Sequence, residues 1–299
     1  MALEWGWLRK QARIDVRDDG IRLASDRGCT ILLLHGLTGT PTELGYLAHH
    51  LRYRGKHAVH VPRLANHGQP LGVLARTTWR ELLESARAAL RTAREDANAR
   101  GVPLVVGGLS LGAVLSLVLA AEHPEEVDGV ACLSPTLFYD GWNVPWYRRL
   151  LPLAAVTPLK YFSFFRESEP FGLRDEELRR KMSGQYGSMT LRESGAAGAL
   201  GYAHFPVRLF CEMRPLVARC KRLLPAVRSP VLVVQAEQDD MTSPRNAEYI
   251  RRRVGAERRE MLLLKRSYHL VTVDLERAAV AERLAAFCDS LLPARGAHA

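Results

Sequence analysis

The 299-residue chain has no stretch of about 18 consecutive apolar residues, so a membrane-spanning helix is not expected. Paired cysteines are missing as well. The five present (Cys29, Cys132, Cys211, Cys220 and Cys288) are odd in number and scattered, and none forms a Cys-x-x-Cys pair. This argues against a disulfide framework or a zinc site and favours a reducing, cytoplasmic setting. Met1 to Asp19 lacks the apolar core and cleavage site of a secretory signal. Internal repeats and low-complexity segments are absent too. Lysine is scarce, and the net charge of +10 comes almost wholly from arginine. The arginines are spread along helical stretches rather than clustered with stacking aromatics, and no nucleic-acid module signature appears, which argues against a nucleic-acid partner. An arginine-rich solvated surface and an attraction to anionic partners both remain open.

What is present is ordinary for a globular protein: 47% hydrophobic and 25% charged residues. The length suits one large domain, or one domain carrying an insertion. Ala12–Val16 and Ile21–Ala24 flank Asp18-Asp19-Gly20, a hairpin signal. Continuous aliphatic runs at Thr30–Leu34, Pro103–Gly107, Val127–Leu133 and Pro230–Gln235 predict strands buried on both faces. His57–Val61 and Glu260–Leu264 predict two more. Thr40-Pro41-Thr42-Glu43 and Thr78-Trp79-Arg80-Glu81 have the form of helix-opening capping boxes. Helices are expected from each, and at Leu111–Glu122, Ser243–Val254 and Asp274–Leu292. Such alternation predicts an α/β fold with a mostly parallel central sheet flanked by helices. It breaks off between Ser134 and about Ser229. The expected division is therefore a core of residues 1–134 and 230–299 with an inserted cap at 135–229.

Gly108-Leu109-Ser110-Leu111-Gly112 falls where a buried strand meets an apolar helix. A sharp strand-to-helix turn of this kind presents a serine hydroxyl for attack on a carbonyl. By itself the motif is weak, since chance places it in roughly one chain of this composition in ten. The bland reading is a glycine-rich turn with no partners downstream. A catalytic serine needs a base, and the base needs an orienting acid. Asp239 follows the strand ending at Gln235, and His269 follows the strand ending at Leu264, so all three come in order at strand ends. Of two adjacent carboxylates, Asp239 is preferred as the acid. Asp240 is read as solvated or as capping the helix near Ser243, and Asp274 as opening the last helix. The backbone N–H groups of Leu111 and Leu37 are the candidate oxyanion donors. His35 is read as structural, and His49, His50, His57 and His60 as surface or packing residues.

Together, His35-Gly36-Leu37-Thr38-Gly39-Thr40-Pro41, the serine turn, Gln235-Ala236-x-x-Asp239 and Ser267-Tyr268-His269 resemble the bacterial carboxylesterase and monoacylglycerol-lipase group of α/β-hydrolases. Pro62 to Gly68 resembles that group's loop ending in Gly-His-Gly, with Asn66 in place of the first glycine. The resemblance spans about Gly20–Leu133 and Pro230–Leu292 and leaves out the cap. It implies Ser110, Asp239 and His269 as a triad and Leu37 and Leu111 as oxyanion donors.

The expected activity is hydrolysis of carboxylic esters with an apolar acyl chain through an acyl-enzyme, without metal or organic cofactor. An acyl-coenzyme A or carrier-protein thioesterase is the alternative. A non-catalytic binding protein on the same fold is a further one. In the cap, Leu137, Phe138, Trp142 and Trp146 are substrate-binding candidates. The cap's interleaved aromatic and basic residues are read either as a satellite core or as an acyl tunnel whose rim meets a membrane surface. The sequence says little about oligomeric state.

Overall fold

A computed structural model describes residues 16–17, 20–144, 157–161, 163–187 and 200–293. Its strands are β1 (Val16–Arg17), β2 (Gly20–Leu23), β3 (Thr30–Leu34), β4 (Ala58–Pro62), β5 (Leu104–Leu109), β6 (Gly129–Leu133), β7 (Phe164–Arg166), β8 (His204–Pro206), β9 (Val231–Ala236) and β10 (Arg259–Leu264). Eight of them form one sheet in the order β1-β2-β4-β3-β5-β6-β9-β10. The strands from β4 to β10 in that order are parallel, while β1 and β2 add an antiparallel edge. Arg17 pairs with Gly20, and Asp18-Asp19 of the expected hairpin turn lie outside the described residues.

The aliphatic runs do what their composition requires. Ile31 and Leu33 of β3 enter one apolar cluster, while Leu32 and Leu34 enter another. Val105 and Val106 of β5 divide the same way, as do Leu232 and Val233 of β9. Period-two side chains on a fully buried strand feed both faces of the sheet. Helices α1 (Gly45–Tyr53) and α7 (Arg277–Asp289) cover one face. Helices α2 (Trp79–Arg100) and α3 (Leu111–Glu122) cover the other. The Thr78 capping box forms as expected, with Glu81 N–H donating to the threonine hydroxyl oxygen.

Thr40 does not form the second box. It makes no side-chain cap bond, and a short 3-10 turn, Pro41–Leu44, precedes α1. The Glu43 carboxyl accepts from the Gly36 N–H.

Between β6 and β9 the described residues add no strand to the main sheet. They contribute the antiparallel pair β7–β8 and helices α4 (Glu176–Gly187) and α5 (Val207–Leu223). Helix α6 (Arg245–Arg253) follows β9. The insertion is not wholly separate from the core. Leu209, Met213, Leu216 and Cys220 of α5 form an apolar stripe at helical spacing and join the cluster that includes α3. Phe171, Leu173, Leu178, Met182 and Tyr186 form a smaller third cluster with Val273 of the loop after β10.

Polar anchors tie this insertion to the core. Asp274, expected to open the last helix, is fully buried and α7 begins three residues later. Its carboxylate accepts from the N–H groups of Arg174 and Asp175 in the insertion and of Tyr268 and Leu275 in the core. Removing that acceptor strands four part-buried donors, where a fully buried one would cost about 1–3 kcal/mol. Asp274→Ala is therefore expected to destabilise the fold by about 3 kcal/mol or more in urea unfolding, and Asp274→Asn by less, because one carbonyl oxygen remains.

Candidate active site

The site is built where β3 and β5 end side by side. Sequence-adjacent β4 lies on the other side of β3, so the connection to β5 must cross over. Such switch points leave a crevice at the carboxyl ends of the strands. Leu34 pairs with Gly108, so both strands deliver their loops to the same place.

Ser110 lies directly between β5 and α3, with φ 57° and ψ −109°. A positive φ is uncommon outside glycine and stores strain that the surroundings must offset. Leu34 supplies the restraint. A Cβ on either Gly108 or Gly112 would collide with its carbonyl oxygen. The serine N–H donates to Leu133 O at 2.9 Å. Its Oγ lies 2.8 Å from Thr136 Oγ1.

The loop after β3 is held by two histidines. His35 Nε2 accepts from the Leu64 N–H at 3.0 Å, which leaves Nδ1 to donate to Gly36 O at 2.9 Å. Burial and the neighbouring His67 drive the His35 pKa down, so the ring is neutral. His67 Nε2 lies 2.7 Å from Leu37 O. A trans peptide points its C=O and N–H in opposite directions. Fixing the Gly36 carbonyl therefore fixes the Leu37 N–H. Asn66 has φ 62°, the left-handed region that asparagine tolerates better than most residues. This accounts for its standing where the resembled loop has glycine.

Asp239 and His269 meet in a buried pair. His269 Nδ1 lies 3.1 and 3.0 Å from the two carboxylate oxygens. Asp239 also accepts from Met241 N, Thr242 N, Thr242 Oγ1 and Gln235 Nε2. These bonds fix its orientation. Burial opposes charging of His269, but Asp239, by charge and hydrogen bond, and the nearby Asp240 and Glu43 outweigh it, and the imidazole pKa is raised.

Asp240 is neither solvated nor a helix cap. It is 1% exposed, and its carboxylate accepts from His269 N at 3.2 Å and from Gly172 N at 3.1 Å. Burial, set against the favourable charge of His269, pushes its carboxyl up to about 6. The helix start near Ser243 is served instead by Asp140, which accepts from Ser243 N.

Ser110, Leu37, Leu111 and His269 all line one cavity of about 420 Å³. Leu137 lines it too. Phe138 and Trp142 do not. Asn246 Oδ1 accepts from both the Leu137 and Phe138 N–H groups, and the two side chains diverge. The Phe138 ring meets Tyr249 and the Lys221 ammonium instead. Trp142 is 58% exposed, and its Nε1 donates to Gln238 O. Trp146 lies outside the described residues. The remaining apolar wall comes from Tyr139, Met182, Phe205, Phe210 and Met213. Apart from Met213 in the stripe of α5, no local periodicity marks these residues, and they converge through the folding of the insertion. Glu43 and Glu167 also line the cavity, and neither was singled out by the sequence. Confinement there, with Asp240 and Glu43 nearby, pushes the Glu167 carboxyl up to about 8. Among the described residues no cluster of His, Cys, Asp or Glu has the arrangement of a metal site, and no helix is long and apolar enough to cross a membrane.

The chain is similar to known proteins along most of its length. A thermostable monoacylglycerol lipase from Bacillus sp. (strain H-257) is 24% identical over 253 residues, covering 85% of this chain and 87% of the lipase. A carboxylesterase from Bacillus subtilis (strain 168) is 24% identical over 266 residues, covering 87% and 92%. A solved structure from work on the metagenome-derived lipolytic enzymes LipS and LipT superposes with a TM-score of 0.73 at 25% identity, covering 92% of this chain and all of that one. A soluble variant of the monoglyceride lipase from Saccharomyces cerevisiae superposes with a TM-score of 0.74 at 15% identity, covering 91% and 90%. The fold is that of the α/β-hydrolases. A family model matches from residue 26 to residue 276, and the chain belongs to the family it describes, serine aminopeptidase, S33 (Hydrolase_4).

Proposed function

We propose that the protein is a serine hydrolase that cleaves carboxylic esters with an apolar acyl chain. The observation that carries this reading is the shared cavity. A strained serine and a histidine whose Nδ1 is committed to a buried carboxylate line the same apolar space. The full-length relatives named as lipases and esterases support ester cleavage and do not favour the thioester alternative.

In this mechanism Ser110 Oγ leaves Thr136 by rotation about its Cα–Cβ bond and attacks the ester carbonyl carbon. His269 Nε2 takes the hydroxyl proton, while Asp239 holds the tautomer and stabilises the imidazolium. The carbonyl oxygen gains negative charge and is received by the N–H groups of Leu37 and Leu111. Leu111 is the first residue of α3, where the helix dipole favours an anion. The imidazolium then protonates the departing alkoxide, leaving an acyl-enzyme ester on Ser110. His269 next removes a proton from water as the water attacks that ester, and it returns this proton to Ser110 Oγ as the acyl–oxygen bond breaks and the acid is released. The cap, residues 135–229, supplies much of the apolar wall and acts in this reading as the acyl pocket.

Ser110→Ala is expected to lower kcat on p-nitrophenyl butyrate by at least about 10⁴-fold while leaving the circular dichroism unchanged. A fluorophosphonate probe should label the wild type at Ser110 and leave the variant unmarked. Retained turnover in the variant would sink the assignment. Compared at equal acyl length, p-nitrophenyl and monoacylglycerol esters should turn over faster than acyl-coenzyme A or an amino-acid p-nitroanilide. A preference for either of the latter would replace the ester reading.

The base must be neutral to act, and its pKa lies above 6.5. The acid limb of kcat/KM is therefore expected to have its midpoint above pH 6.5, with activity lost as pH falls through it. Asp240→Asn removes a negative charge that favours the imidazolium, so that midpoint should move to lower pH. Profiles measured from about pH 5 to 9 would show an unmoved limb if Asp240 had no influence.

A further inference from the structure

Glu43 is a buried carboxyl in the cavity wall that the proposed mechanism leaves unused. It stands behind the loop after β3. Its Oε1 accepts from the Gly36 N–H, and Gly39 lies directly over the carboxyl, where any Cβ would collide with it. Its own backbone is held in turn, because Thr272 Oγ1 donates to Glu43 O at 2.7 Å.

Three consecutive peptide groups of the loop are thereby anchored. Glu43 holds the N–H of the His35–Gly36 peptide, His35 holds the C=O of the Gly36–Leu37 peptide, and His67 holds the C=O of the Leu37–Thr38 peptide. The middle group carries the Leu37 N–H. It shares Gly36 with the first group, so releasing Glu43 frees the φ and ψ that orient it.

We infer that Glu43 is a positioning residue for catalysis, holding the Gly36 N–H from behind so that the Leu37 N–H stays aimed at the carbonyl oxygen of the substrate. This rests on the reading of Leu37 as an oxyanion donor. Burial, opposed by the Gly36 hydrogen bond and by His269, pushes the Glu43 carboxyl up to about 8. The ionisable groups that feel its charge are His269, Glu167 and Tyr186. The bond to the Gly36 N–H asks of the group only an acceptor oxygen, which a neutral group also offers. A neutral amide should then substitute for it.

The test compares kcat, KM, thermal midpoint and fluorophosphonate labelling rate at pH 7 for Glu43→Ala, Glu43→Gln, Glu43→Met and Gly39→Ala. The phosphoryl oxygen of the probe occupies the same position as the developing oxyanion, so the labelling rate reports on the hole itself. Glu43→Ala and Glu43→Met are expected to lower kcat and labelling by about 10- to 100-fold with KM changed less than about threefold, since an oxyanion donor acts on the transition state. Glu43→Gln should stay within about threefold of the wild type. Gly39→Ala displaces the carboxyl without removing it and should mimic Glu43→Ala. The double variant should lose little more than either single one. Undiminished kcat in any folded variant lacking the acceptor, a loss confined to KM, or failure of glutamine to rescue would overturn the inference. If the alanine variants do not fold, the methionine and glutamine pair decides it. Ser110→Ala run in parallel separates the two readings: an inert Ser110 variant beside a fully active Glu43→Met removes only the role of Glu43.

Discussion

The closeness of the 108–112 bend to β3 is the constraint on which the rest of the site depends. Side-chain-free positions at Gly108 and Gly112 let the bend press against the Leu34 carbonyl. That contact holds Ser110 at a backbone conformation it would not otherwise keep. It also brings the loop from Gly36 to Gly39 beside the serine, with Gly36 facing Ser110 Cβ. The sheet order makes the meeting possible, because β3 and β5 pair directly although β4 lies between them in sequence. Two aliphatic strands buried on both faces give that pairing a stiff base.

Around this base the polar groups divide their work. Asp239 spends its acceptors on a turn of its own and on His269, which keeps the base oriented. Asp240 and Asp274 have no such local task. Asp240 accepts one N–H from the loop carrying His269 and one from Gly172, while Asp274 accepts from Tyr268 of that loop and from both Arg174 and Asp175 of the insertion. His35, His67 and Glu43 play the same part for the opposite loop. The apolar cavity between the two loops therefore has rigid polar scaffolding on both sides, while its far wall is a loose assembly of aromatic and methionine side chains.

The fold was largely legible because a parallel sheet covered on both faces needs uninterrupted aliphatic runs. Thr30–Leu34 and Leu111–Glu122 match the expected bounds, and β2, β4, β5, β6, β9 and β10 differ by a residue or two at their ends. Asp239 and His269, the proposed partners of Ser110, were legible because each follows a strand. What escaped had no local signature. The Thr40–Glu43 and Thr78–Glu81 stretches look alike, yet only the second forms a box, while the Glu43 carboxyl accepts from the Gly36 N–H. Asp240 next to Asp239 reads as a spare charge until Gly172, 68 residues away, is brought beside it. Leu137 and Phe138 are equally apolar, and only the Asn246 side chain decides which of them faces the cavity.

The bond between Asp240 and Gly172 sets a limit on how this architecture can diversify. The carboxylate that supports the backbone of His269 also docks the insertion, so the two regions are not independent modules. A cap without a 172–175 segment that fits Asp240 and Asp274 would disturb the backbone of His269, the proposed base, before it changed the pocket. Drift in substrate range is then channelled to the aromatic and methionine positions of the far wall. There, exchange of one side chain for another leaves the scaffolding of both loops intact.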